Sequence, residues 1–200
     1  VLTVYKEALE NMQNARDAKV ADEDKKYIQD IQLLTAKPIM YVCNVDDASA
    51  LTGNKYSEAV KASLKEGDEM IVIAGKLESE IAELEDEDKE MFMEDAGLTE
   101  PGVNKLVRYA YQTLKLQSFF TTGTDETRAW TIHIGDTAPI AAGVIHSDLQ
   151  RGFIRAEVMS TDDFLKYGSE TAVKEAGKFR VEGKNYIVQD GDILNIRFNV

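Results

Sequence analysis

Two short apolar runs with a helical stretch between them constrain the fold of this chain most. The runs cover residues 39–43 (IMYVC) and 69–74 (EMIVIA), and residues 56–64 between them have the periodicity of a helix. Strands that are apolar almost throughout are typical of parallel sheets, which are covered on both faces. The sequence therefore predicts a parallel βαβ unit with a right-handed crossover. Because two strands do not make a stable open sheet, we expect further strands before Val1.

Helical patterns flank this unit on both sides. Before it, residues 5–15 carry apolar side chains on one face, and Asp22 is suited to cap a second helix. The apolar residues expected on one side of that second helix are Ile28, Ile31 and Leu34. Pro38 ends the pattern, because the residue before a proline is pushed out of the α region. Three helices are expected after the second run, at 77–84, 88–96 and 101–114.

The pattern changes after Gln117, where short strands replace helices. They are predicted at 119–122, 129–134, 153–158, 186–188 and 193–198, with helices at 140–146 and 162–167. The turn Asp190-Gly191-Asp192 precedes the last strand. Strands around one main helix, with the last strand in the centre, indicate a β-grasp, ubiquitin-like domain. We place its start near Gln117–Ser118.

Composition limits the classes of protein to which the chain can belong. It has 200 residues, of which 44% are hydrophobic, enough for a folded core. It has a single cysteine and shows no export signal, which favours the cytoplasm. Its net charge is −13, of which residues 118–200 contribute −3. This acidity argues against a general nucleic-acid binder but leaves room for a local basic face in the second part.

Asn44 is the main candidate for a binding residue. It ends the first strand, and ligands of parallel α/β sheets bind beyond the carboxyl ends of the strands. A carboxamide offers a donor and an acceptor that match the N6/N7 edge of adenine or the N7/O6 edge of guanine. Four residues are grouped with it as candidate base-contacting residues: Val45, Asp47, Ala74 and Gly75. The alternative is that Asn44 only ends the strand and forms a local Asx turn.

Other chemically distinctive residues have simpler interpretations. Cys43 is expected to be a small buried hydrophobe, and His133 and His146 have no metal-ligand spacing. We therefore predict neither a catalytic residue nor a metal site in this chain. Six basic residues of the second part are candidates for contacts with RNA or the ribosome: Arg151, Arg155, Lys174, Lys178, Arg180 and Lys184. The alternative is an ordinary surface with interspersed acids.

Several blocks of the sequence are similar to one family. They are LLTAKPIMYVCNV, IAGKLESEIAEL, EPGVNKLVRYAYQTLKLQSFFTTG, RAWTIHIGDTAPIAAGVIHSD, and QRGFIRAEV followed by EAGKFRVEGKNYIVQDGDILNIRFNV. Over essentially its whole length the chain resembles the C-terminal half of the YchF, or Obg-like, ATPases, which are TRAFAC-class P-loop NTPases. The resemblance implies three regions: the returning end of a helical coiled-coil arm (1–37), the closing part of the NTPase domain (38–117) and a TGS domain (118–200).

The resemblance also implies a function. The parent protein would be a ribosome-associated ATPase that uses ATP and Mg²⁺, and its phosphate loop would lie upstream, because this chain contains no GxxxxGK[ST]. On its own the chain is expected to be inactive and to bind no cofactor. The family's N-x-x-E base motif reads Asn44-Val45-Asp46-Asp47 here. Val45 stands where GTPases usually have Lys, which favours ATP. Asp47 stands in place of Glu and resembles the end of the GTPase motif, so GTP stays open. Two alternatives remain: a parent that prefers GTP, or a TGS-type regulatory module that binds protein without contacting RNA.

Overall fold

The chain forms two compact units, Val1–Thr113 and Leu114–Val200. The computed structural model of the protein describes residues 1–65, 67–123 and 126–199, with Asp86 described by its backbone alone. Val200, the predicted end of the second domain, lies outside the described residues. The boundary near Gln117–Ser118 falls inside a strand that begins at Leu116, because the strand pattern becomes visible in the sequence only after the strand has started.

The helices of the first unit have the following bounds: α1 (Leu2–Glu10), α2 (Lys55–Ser63), α3 (Gly75–Ala82), α4 (Asp86–Asp95) and α5 (Gly102–Thr113). Its strands are β1 (Met40–Asn44) and β2 (Glu69–Ile73), which pair in parallel with Met40 opposite Glu69 and Asn44 opposite Ile73. The predicted βαβ unit is confirmed. A capping box starts α2: Asn54 Oδ1 accepts from the Ser57 amide at 3.1 Å, and Ser57 Oγ accepts from the Asn54 amide at 2.8 Å.

Of the two helices predicted before β1, the first is present but shorter than predicted, and the second is wrong. α1 ends at Glu10, and Met12 has a positive φ of 56° and is almost fully exposed, so the helix does not reach Ala15. Residues Asp22–Ile31 form a 3₁₀ segment that starts after Ala21, so Asp22 is its first residue and not its cap. Gln32 then takes a left-handed conformation and turns the chain. Ile28 is consequently buried, whereas the two apolar residues expected beside it, Ile31 and Leu34, are exposed.

α5 packs its first residue tightly against the unit. A Cβ on Gly102 would lie 2.5 Å from the side chain of Ile73, and the Gly102 amide donates to Glu78 Oε1 at 2.7 Å. The periodicity of this helix predicts an apolar face that includes Val103 and Val107, but both side chains are more than half exposed. The periodicity predicted the helix correctly, but most of its apolar stripe does not contribute to the core.

The second unit contains a five-stranded mixed sheet with the order β4-β3-β7-β5-β6. The strands are β3 (Leu116–Thr122), β4 (Thr127–His133), β5 (Phe153–Ser160), β6 (Arg180–Glu182) and β7 (Asp192–Phe198). The helices are α6 (Ala138–Ile145), α7 (Ser147–Arg151), α8 (Thr161–Tyr167) and α9 (Glu170–Glu175). β7 lies between β3, with which it is parallel, and β5, with which it is antiparallel. The prediction that the last strand is central is confirmed.

The predicted strand at 186–188 is wrong. Of these residues, only Ile187 makes a β-bridge, an isolated one with Thr137. The backbone of the segment is hydrogen-bonded to the residues at the start of α6 and just before it. The Tyr186 carbonyl accepts from Ala138, and the Val188 amide donates to Asp136. β6, α7 and α9 were not predicted, because elements of three to six residues carry too little periodicity to detect.

Both faces of this sheet are covered, at least in part. On one face α6 packs against a core that includes the fully buried Phe119, Val158 and Leu194. The neighbouring residues Met159 and Ile193 belong to a second cluster, which α8 and α9 complete on the other face. Part of that second face stays open to solvent and carries the polar ends of β5 and β7.

Candidate functional site

Asn44 joins the two strands of the first unit to a helix. It ends β1, and its Oδ1 accepts from the Gly75 amide, the first residue of α3, at 2.9 Å. A Cβ on Gly75 would lie 3.1 Å from that oxygen, so the absence of a side chain permits this close approach. The contact spans 31 residues of sequence. Asn44 therefore does not form the local Asx turn considered as the alternative.

This contact changes what the Asn44 side chain offers to a ligand. The carboxamide oxygen is engaged by Gly75, whereas no acceptor for Nδ2 is found among the described residues. Asn44 is exposed at this edge of the sheet. The unpaired N–H donor suits the N7 acceptor of either purine. Oδ1 has a second lone pair, so the contact with Gly75 orients the carboxamide and leaves its acceptor available as well.

The residues after Asn44 form a fixed loop. The Val45 amide donates to the Ile73 carbonyl at 2.9 Å, and the Val45 side chain is half-buried against the cluster formed by Ala74, Leu77, Ile81 and Leu98. Asp46 caps a 3₁₀ turn, with Oδ1 accepting from the Ser49 amide at 2.9 Å. Asp47 is the first residue of that turn and is exposed. The Asp47 carboxylate is therefore exposed to solvent, three residues after Asn44 in the sequence.

The remaining candidates at this edge differ in accessibility. Ala74 is 2% exposed and belongs to the core, whereas Gly75 is exposed. The Gly75 amide, which we expected to approach a base, is already bound to Asn44. Asn44, Gly75 and Asp47 are thus the accessible members of the candidate base site.

The six basic candidates of the second unit lie on different elements. Arg151, in α7, pairs with Asp148 at 2.6 Å, and Lys174, in α9, pairs with Glu170 at 2.5 Å. Arg180, in β6, donates to the Tyr186 hydroxyl at 3.0 Å and lies 3.4 Å from the buried Asp192. The remaining three lie in the α9–β6 connection, the turn after β6 and strand β5: Lys178, Lys184 and Arg155.

The Tyr186–Asp192 contact is a buried hydrogen bond with a clear electrostatic consequence. The Tyr186 hydroxyl donates to Asp192 Oδ2 at 2.6 Å, and Asp192 is 2% exposed. Burial, together with this carboxylate, raises the pKa of Tyr186 to about 12. Arg180 completes this network, so its first role in the structure is to compensate a buried charge.

Two of the basic candidates do share a surface, together with an arginine that sequence reasoning missed. Arg197 makes a two-pronged contact with Glu157, at 3.1 Å and 2.9 Å, and Arg155 lies 3.8 Å from the same carboxylate. Arg197 and Lys174 both lower the pKa of Glu157, Arg197 most strongly through its hydrogen bonds. We call Arg155, Lys174 and Arg197 the basic sheet face. The alternation of Ile193, Asn195 and Arg197 in the last strand was the signal that could have revealed it.

The cysteine and the histidines have ordinary structural surroundings. Cys43 is half-buried in β1, and His146 Nδ1 accepts from the Asp148 amide at 3.2 Å at the start of α7. Within residues 1–65, 67–123 and 126–199, no group of three or more His, Cys, Asp or Glu side chains is placed to hold a metal ion. In the same part of the chain, no helix has the length and apolar character needed to span a bilayer.

Comparison with known proteins gives consistent matches. Residues 116–199 match the family model YchF-GTPase_C, described as a protein of unknown function (DUF933). The chain is 47% identical to the ribosome-binding ATPase YchF of Pasteurella multocida, over all of this chain and 56% of that protein. It is 42% identical to the Obg-like ATPase 1 of Rattus norvegicus, over 89% of this chain and 46% of that protein.

A solved structure also matches. The YchF GTPase of Schizosaccharomyces pombe superposes with a TM-score of 0.85 at 31% identity, over 98% of this chain and 53% of that one. The chain thus spans about half the length of the relatives that it matches. The names of these relatives differ in the nucleotide, ATP or GTP. Their shared sequence and fold show that this chain belongs to the YchF, or Obg-like ATPase, family and corresponds to the C-terminal half of its members.

Proposed function

We propose that this chain is the base-recognising and ribosome-docking half of an Obg-like P-loop ATPase. The observation that carries the proposal is the anchored Asn44 at the carboxyl ends of two parallel strands, with Oδ1 held by Gly75 and Nδ2 without an acceptor among the described residues. An asparagine whose orientation is fixed before the ligand arrives loses less conformational freedom on binding. This geometry suits the base end of ATP.

The phosphate end of the nucleotide needs other residues. Under this proposal, the phosphate loop and the Mg²⁺ ligands belong to the length of the relatives that this chain does not span. When bound, Mg²⁺ and the phosphate loop would supply the charge stabilisation for phosphoryl transfer. Asn44 and Gly75 would hold the base and orient the nucleotide, without contacting the γ-phosphate.

Two substitutions at Asn44 test the proposal in a protein that combines this chain with the remaining length of its relatives. Asn44→Asp keeps an acceptor for the Gly75 amide but removes the N–H donor, and Asn44→Ala removes both. We expect both variants to weaken ATP binding, by roughly 1–3 kcal/mol, measured by calorimetry. If Asn44 only closes the β1–α3 junction, Asn44→Asp will bind ATP as tightly as the unchanged protein.

Nucleotide choice depends on Asp47 in this proposal. The N7 acceptor is common to adenine and guanine, so donation from Asn44 does not distinguish them. Asp47 is an exposed carboxylate that would accept from the N1–H and N2–H₂ groups of guanine. We favour ATP, as in the family, and expect Asp47→Glu to leave ATP binding unchanged and to lower any binding of GTP. Loss of ATP binding in that variant would assign Asp47 to adenine recognition.

The second unit is the docking module of the proposal. Its strand order, with a hairpin, a covering helix and a central last strand parallel to the first, agrees with a β-grasp domain of the TGS type. The basic sheet face offers two guanidinium groups and an ammonium that can meet RNA phosphates. Docking at the ribosome would also place the protein in the cytoplasm, as the composition predicts.

Cosedimentation with ribosomes tests the docking surface. We expect the 200-residue chain to bind ribosomes, with binding that weakens as salt rises, and to show neither ATP hydrolysis nor measurable nucleotide affinity. The double substitution of Arg155 and Lys174 by Ala should reduce ribosome binding more than that of Arg151 and Lys184. Arg180 is left unchanged in both variants because it stabilises the buried Asp192. Binding that ignores both salt and these changes would favour a protein contact, and sub-micromolar ATP binding by the chain would contradict the assignment of the phosphate site.

A further inference from the structure

The first unit contains a cavity whose lining residues lie between Tyr5 and Lys37 and include none of the candidate base site. It has a volume of about 550 Å³ and lies among α1 and the 3₁₀ segments of residues 15–37. Small-molecule sites in proteins have volumes of roughly 300–1,000 Å³. Its apolar wall includes Ile28 and Leu33 from the small cluster that fills this part of the unit. The cavity is therefore large enough for a small organic molecule and offers it apolar contact.

A tyrosine hydroxyl is among the polar groups of this cavity. Tyr5 lines it and is 4% exposed as a whole residue, and no hydrogen-bond partner for its hydroxyl is found in the described part of the chain. The hydroxyl oxygen itself is not one of the fully buried unpaired atoms, so it can donate to a ligand in the cavity. The hydroxyl is near enough to Lys25 to influence its ammonium group. Tyr5 thus presents an unused donor beside a positive charge.

The charges around the cavity have one sign. Arg16, Lys25 and Lys37 line it, and its lining as described includes no carboxylate, in a chain whose net charge is −13. The Arg16 guanidinium is held in place by the carbonyls of Thr35 at 3.2 Å and Lys37 at 3.0 Å, which leaves its other N–H groups for a ligand. Lys25 Nζ forms an ion pair with Asp22 Oδ1 at 2.6 Å, and Asp22 lies outside the lining of the cavity. Three cations and a hydroxyl donor at one cavity favour an anion.

We propose that this cavity binds a small organic acid, with an apolar body against Ile28 and Leu33 and its carboxylate or phosphate group held by Tyr5, Arg16 and Lys37. The shared chemistry is one anionic group on an apolar body. A neutral ligand of the same shape would bring no negative charge to the three cations. The cavity shares no lining residue with the base site proposed at Asn44.

Three probes of similar size test the inference on the whole 200-residue chain: benzoate, phenyl phosphate and benzyl alcohol. Titration followed by amide NMR should give shifts at the cavity residues for both anions, with affinity for benzyl alcohol at least about tenfold lower. The anion that binds more tightly identifies the acid group that the site prefers. Equal binding of benzyl alcohol, the absence of binding by both anions, or shifts confined to the Asn44–Gly75 edge would overturn the proposal.

Substitutions then separate the donors from the fold. Tyr5→Phe keeps the ring and should weaken anion binding about tenfold or more, the usual result of losing a hydrogen bond to a charged group. Lys37→Gln should weaken it several-fold and reduce its dependence on salt. Lys26→Gln is the matched control, because Lys26 lies over the Tyr27 ring and outside the cavity lining. Unchanged affinity in Tyr5→Phe and Lys37→Gln, or an equal loss in Lys26→Gln, would refute the site.

Discussion

The two units of this protein contrast in how they bury their apolar residues. In the second unit, the main core joins ten buried residues, and three more fill the cluster under α8 and α9. In the first unit, the described residues form two small clusters, of four and three buried residues. The first unit also exposes several large apolar side chains, among them Val42 in β1 and Val103 and Val107 in α5.

The larger core and the candidate base site lie in different units. Burial of apolar surface is the main favourable term in folding, so the second unit should account for most of the stability of the chain. Asn44 and Gly75 lie in the unit with the smaller core.

Amide hydrogen exchange should show the largest contrast. We expect the amides of β7, the central strand of the second unit, to exchange roughly a hundredfold or more slowly than those of β1. The reason is that β7 opens only when the whole sheet opens, whereas β1 has one neighbouring strand. NMR-detected exchange measures both strands in one sample. Rapid exchange along Ile193–Phe198 would contradict the central position of that strand.

Large-to-small substitutions in a strand of each unit give the next contrast. Phe119→Ala in β3 removes a fully buried ring and should destabilise the second unit by about 3–5 kcal/mol. Val42→Ala in β1 removes a side chain that is 43% exposed and should cost less than about 1 kcal/mol. Urea unfolding with a probe in each unit measures both values. Equal costs at the two positions would mean that the cores do not differ as described.

A glycine in the first unit tests whether its smaller core is nevertheless tightly packed. Gly102→Ala should destabilise the first unit by about 1–3 kcal/mol, because the new Cβ would lie 2.5 Å from the side chains of Ile73 and Glu78. Gly123→Ala is the control, since its Cβ would meet its nearest neighbour at an ordinary 3.6 Å. Thermal unfolding of both variants gives the comparison, and a neutral Gly102→Ala would show that α5 can move away from β2.

The smallest expected effect is a pH dependence in the second unit. Hydrogen bonds from Arg197 hold the pKa of Glu157 below its ordinary value of 4.5. The folded state therefore favours the ionised carboxylate, and this stabilisation is present above about pH 4.5 and is lost as the pH falls through the lower pKa of the folded protein. Glu157→Gln should lower stability by about 0.5–1 kcal/mol at pH 7 and remove this part of the acid dependence. Denaturation of both proteins at pH 7 and pH 3 gives their free energies of unfolding. If the loss of stability between pH 7 and pH 3 is the same in Glu157→Gln as in the unchanged protein, Glu157 is not the source of the acid dependence.

Short-range patterns predicted the elements that have strong periodicity and clear boundaries. The βαβ unit and the central last strand after the Asp190–Asp192 turn follow from such patterns. The pattern made the first helix too long, since it ends at Glu10, and it was wrong for residues 22–34, where the chain forms 3₁₀ segments and turns at Gln32. The motif-based family assignment is confirmed by the comparisons.

The sequence by itself determined that Asn44 ends a strand and that the acidic excess is smaller after Gln117, because these facts depend only on neighbouring residues or on composition. Only the tertiary structure decided how these side chains are used. The parallel pairing of β1 with β2 puts Asn44 opposite Ile73 and so brings the nearby Gly75 amide to Asn44 Oδ1, and the pairing of β5 with β7 places Arg197 beside Arg155 and Glu157. Such contacts join residues 31 or more positions apart, so strand register and helix packing fix them, and local sequence patterns do not contain that information.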